Sequence, residues 1–107
     1  MNTIKPPRSM SQIYYDFAAN ALKLAARADA VADFAKTKED KDIAVGSAAF
    51  ARRFSKKAFK AGETVICLMN DGELKAYCQQ FDTVLAQFVA FAEKAEKELY
   101  AIEQRLK

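Results

Sequence analysis

Histidine is missing from this chain altogether. Its absence removes the commonest general base and the commonest metal ligand. Neither a serine–histidine nor a cysteine–histidine nucleophile can be assembled. The carboxylate di-metal bundles that use a Glu-x-x-His element are excluded for the same reason. Cysteine is scarce: Cys67 and Cys78 make no disulfide framework and lack metal-ligand spacing. The three glycines, at 46, 62 and 72, stand too far apart to form a phosphate-cradling loop. No run approaches the ~20 apolar residues of a membrane span. The first ten residues hold Pro6 and Pro7 and no apolar run, so no secretory signal is expected there. These absences predict a protein that is not an enzyme, with no cofactor and no metal. Its thiols are expected to be reduced in a cytoplasmic setting.

What is present suits one small folded unit. Of 107 residues, 51% are apolar and 29% charged, ordinary proportions for a globular domain. Phe, Leu, Ile, Val and Tyr are plentiful enough to drive collapse. The net charge of +3 is unevenly spread. Residues 38–62 carry seven basic and three acidic side chains, whereas residues 63–107 carry five basic and eight acidic. A basic middle and an acidic tail can complement each other inside a bundle or mark a binding face.

The apolar pattern is helical throughout. Residues 1–10 read as an extended arm because of the two prolines, and residues 11–107 as a single helical domain. Ser9 or Ser11 can cap a first helix over about 11–36. Its stripe is Met10, Tyr14, Phe17, Ala21, Leu24, Ala28, Val31 and Ala35, widened by Ile13, Leu22 and Phe34. Thr37, with Asp40 three residues on, suits a break, although without Gly or Pro there a kink or an unbroken helix is equally compatible. A second helix is predicted over 38–61, burying Ile43, Ser47, Phe50, Phe54, Ala58 and Ala61. Gly62 is placed as its left-handed C-terminal residue. The segment 63–70 is expected to be a short extra element, ending in a capping turn at Asp71. The third helix is the strongest pattern. Leu74, Cys78, Phe81, Leu85, Phe88, Ala92, Ala95, Leu99, Ile102 and Leu106 step by four and three. Near its end Glu93 and Lys97 have the spacing of a favourable pair. The predicted fold is an all-α, antiparallel three-helix bundle with a long C-terminal helix.

Three features are candidates for function. The first is a basic face on the second helix. Arg52, Arg53, Lys56, Lys57 and Lys60 fall within roughly 140° of arc at 100° per residue. Such a face suits nucleic-acid phosphates, an acidic protein surface or, less well, an anionic membrane. It equally suits a solvated face paired with the acidic tail. The second is the end of the third helix. If the three helices align at the Phe-rich end, its length lets Leu99, Ile102 and Leu106 project past the shorter helices and form a seam interface with a partner or a second copy; equally, residues 1–10 or a bent first helix can cover them. The third is the pair Asp29 and Asp33, one turn apart, which could hold a hard cation but more often form a solvated polar face. The reading favoured by the sequence is a non-catalytic protein-interaction module that binds and blocks, or bridges, a larger partner. The build would suit a small regulator or inhibitor such as phages and plasmids carry. The alternative is a nucleic-acid-binding protein using the stretch from Arg52 to Lys60.

Overall fold

The structure, a computed structural model, describes residues 9–68 and 70–107. It consists of three helices: α1 (Met10–Phe34), α2 (Lys38–Cys67) and α3 (Asp71–Arg105). No strand occurs among the described residues. Most of the arm expected over residues 1–10 lies outside them. Ser9 and Met10 are the cap and first residue of α1.

Each helix starts where a short polar side chain can satisfy a free backbone N–H. The Ser9 hydroxyl accepts from the Gln12 N–H, the Thr37 hydroxyl from Asp40 and the Asn70 amide oxygen from Glu73, at 3.2, 3.1 and 2.7 Å. The break at Thr37 therefore exists without glycine or proline. The third cap is Asn70 rather than Asp71. Along α3, Lys94 pairs with Glu98 at 3.9 Å, and no Glu93–Lys97 ion pair is made among the described residues.

The second helix departs from expectation at Gly62. It runs on to Cys67, so residues 63–67 are its last turns and no separate element occupies them. Gly62 is helical, and no glycine among the described residues has a positive φ. Its role is close approach. A Cβ there would stand 2.5 Å from Cε1 of Tyr15 on α1.

Two kinds of packing hold the helices. Between α1 and α2 the buried residues are small: Ala18, Ala21, Ala25, Ala28 and Ala32 face Ala44, Ala48, Ala51, Ser55 and Ala58. Small side chains let the two backbones pack closely. The buried Ser55 hydroxyl donates to the Ala18 carbonyl, 2.9 Å away, across that seam. The third helix is held by large residues instead. Phe88 stacks on Phe54 with ring centres 3.8 Å apart, and Phe91 on Phe50 at 4.0 Å. Phe81 meets Tyr14 edge-on at 4.9 Å.

The predicted overhang of α3 does not occur. Leu99 and Ile102 are among the most deeply buried side chains, at 0% and 1% exposure, and Leu106 is half-buried against the core. Two bidentate ion pairs fasten this end. Arg27 of α1 donates to Glu103 at 2.5 and 3.3 Å, and Arg105 donates to Asp40 of α2 at 2.7 and 3.3 Å. The physical reason is the length of α2. Because α2 continues past Gly62, α3 begins farther along and returns level with the turn between α1 and α2.

The result is a flat slab. Its extents are 52 × 36 × 18 Å, and its radius of gyration is 17.0 Å, against about 13 Å for a compact chain of this length. A slab with α3 laid on a two-helix hairpin leaves the outer side of that hairpin uncovered.

Candidate interaction surface

All five residues of the predicted basic face are exposed on α2. They do not form one undivided stripe. Arg52, Lys56 and Lys60 border a groove between α1 and α2, whereas Arg53 and Lys57 border a smaller one between α2 and α3. Arg52 is engaged by Asp29 of α1. Among the described residues no ion pair is made by Arg53, Lys56, Lys57 or Lys60.

The groove between α1 and α2 is shallow and open, with a volume of about 690 Å³, and is mostly apolar. Tyr15, Ala19 and Leu22 line it from α1, and Ser55 and Phe59 from α2. Leu22 and Phe59 are each 53% exposed, a high value for large apolar side chains. Tyr15 leans on Phe59, ring centres 5.2 Å apart, and closes one end over Gly62. Glu63 stands at that same end. The groove between α2 and α3, of about 310 Å³, is lined by Phe50, Phe54, Val84 and Gln87 besides its two cations. No known family, curated protein or solved structure matches this chain.

The remaining predicted features resolve differently. Asp29 is committed to Arg52, so the pair with Asp33 is no ready cation site. No group of three or more metal-ligating side chains occurs among the described residues. Cys78 is half-buried beside Tyr14, and Cys67 is exposed at the end of α2. No helix among the described residues is long and apolar enough to cross a membrane. Leu99 and Ile102 belong to the core and offer no seam to a partner.

One buried polar atom stands out. The Tyr14 ring is fully buried, and its hydroxyl has no hydrogen-bond partner among the described residues. Burial, and then the neighbouring Cys78 thiol, push its ionisation well above that of an ordinary phenol. It is a neutral group at any physiological pH.

The sequence reading missed the groove. In the linear pattern Leu22 only widens the apolar surface of α1, and Phe59 lies off the core face of α2. A signal was present: Tyr15, Ala19, Leu22 and Ala26 step by four and three, a second apolar stripe beside the core stripe. On α2 the exposed Val45, Ala49, Phe59 and Ile66 share a face in the same way, with Arg52, Lys56 and Glu63 between them.

Proposed function

We propose that this chain is a non-catalytic protein-interaction module, which binds a larger partner through the outer groove of the α1–α2 hairpin. The supporting observation is the conjunction at that groove. Half-exposed Leu22 and Phe59 lie beside Lys56 and Lys60, which lack ion-pair partners among the described residues. Apolar surface stripped of water supplies affinity, and a rim of cations supplies orientation and selectivity. The missing imidazole, with no cluster of metal-ligating groups among the described residues, supports binding rather than catalysis. Acting by occupying or bridging a partner, the chain would work as a small regulator or inhibitor. Self-association through α3 would have to use what that helix leaves exposed, such as Val89 and Tyr100.

Affinity capture from a native lysate tests this, run with and without nuclease. The expected result is a protein partner retained after nuclease treatment and lost with Leu22→Ser. No retained protein, or retention indifferent to Leu22, refutes the reading.

A second reading, nucleic-acid binding through Arg53, Lys56, Lys57 and Lys60, is supported by their four charges in about two turns, none of them in an ion pair among the described residues. Arg53→Glu with Lys57→Glu should then abolish retention on DNA or RNA at low salt. It should also flatten the salt dependence on duplex DNA, with the slope falling by about 0.9 for each phosphate no longer neutralised.

A further inference from the structure

We infer that the groove between α1 and α2 accepts the apolar ridge of an acidic amphipathic helix. This rests on the interaction reading above and names the chemistry of the partner. The groove is concave and apolar along Ala19, Leu22 and Phe59. A channel between two helices matches the ridge that a third helix presents with side chains at i, i+3 or i+4, and i+7. The cations then fix the sign of the partner. Arg52, Lys56 and Lys60 follow one edge for about 12 Å, the rise of eight helical residues. Glu63 and Asp29 bound that edge at its two ends. Carboxylates on the incoming helix are therefore placed over its middle two turns, and its ends carry none.

Charge and shape also select against the other occupants. A second copy docked by the same face would bring Lys56 of each chain towards the other's near the twofold axis, which costs energy. An anionic bilayer is met by an apolar ridge that projects into it, whereas here the apolar residues line a hollow. A nucleic-acid backbone would use the cations and leave Leu22 without a role.

The test is a displayed library of helical peptides of about 14 residues, four turns, with leucine fixed along one ridge and all other positions random. Selection on the whole protein should enrich Asp and Glu over Lys and Arg beside the central leucines. Selected peptides should bind saturably by fluorescence anisotropy and lose affinity tenfold or more with Lys56→Glu plus Lys60→Glu. Leu22→Ser should weaken them similarly. Both variants are surface changes, and circular dichroism should show the wild-type helix content. Enrichment without acidic bias, or binding indifferent to Leu22, overturns the inference. So does tighter binding to phosphatidylserine vesicles or to poly(U) RNA than to the selected peptides. If no peptide is enriched but a lysate protein is still lost with Leu22→Ser, the acidic-helix inference fails and the interaction reading stands. If the lysate also yields nothing, both fail.

Discussion

A methyl group added at Gly46 and one added at Gly62 have opposite consequences within a single helix. At Gly46, exposed in the middle of α2, a Cβ meets nothing within 4 Å. Gly46→Ala should therefore raise stability by about 0.5–1 kcal/mol through the lower backbone entropy of the unfolded chain. At Gly62 the same methyl runs into the Tyr15 ring. Overpacking of this kind costs about 1–3 kcal/mol, against a helix-propensity gain of at most about 1. Gly62→Ala should lower stability or displace Tyr15 from Phe59. Urea titration and the ring-current shifts of the two aromatics would tell these apart from a neutral change. Tyr14 offers a third residue-level test. Its hydroxyl is desolvated, and among the described residues it has only the weakly interacting Cys78 thiol beside it and no partner in hydrogen-bond geometry, so Tyr14→Phe should stabilise the fold, on the order of 1 kcal/mol. A loss of stability in the same titration would show that the hydroxyl has a partner.

At the scale of elements, the end of α3 is fastened by Arg27–Glu103 and Arg105–Asp40. The Arg27 hydrogen bond holds the Glu103 carboxyl below its ordinary value of 4.5. The folded chain thus binds this proton less readily than the unfolded one. The resulting stability is present at neutral pH and is lost as pH falls below 4.5, through the lower folded-state value. Both side chains are about one-third exposed, so solvent screening keeps the contribution within about 1 kcal/mol. Glu103→Gln should cost no more than that at pH 7, and the difference from wild type should vanish on acidification in paired thermal melts. This clamp was not legible in the sequence, because its partners lie far apart along the chain. The helices themselves were legible, since the four-and-three spacing of α3 and the cap at Thr37 are local facts. Gly62 was misread because a glycine after a basic helical turn looks like a terminus. Only Tyr15, from another helix, reveals that it serves close approach. The same error shortened α2 and so left Leu99 and Ile102 wrongly projected beyond the bundle. The exposure of the basic residues was legible, but their division between two grooves depends on where α1 and α3 lie.

For the molecule as a whole, the contrast between an alanine seam and an aromatic one sets the order in which parts should separate. The α1–α2 hairpin is joined by backbones in close approach over most of their length, with a buried hydrogen bond across it. The third helix rests largely on rings, with Phe88 on Phe54 and Phe91 on Phe50. Replacing one ring removes a large share of what holds α3, while the hairpin loses little. Phe88→Ala should cost about 3–5 kcal/mol, and most of that should appear as release of α3 rather than as loss of the hairpin. The two thiols report on this directly. Cys67 is exposed at the end of α2, and Cys78 is half-buried on α3 against Tyr14. In native buffer, thiol labelling of Cys67 should be unchanged by Phe88→Ala, while labelling of Cys78 should accelerate about 100-fold or more. Helix content by circular dichroism should fall by less than a full unfolding transition requires. If Phe88→Ala instead brings a cooperative loss of all helix, the three helices form one indivisible unit. The outer groove would then depend on α3 for its shape, although α3 does not line it.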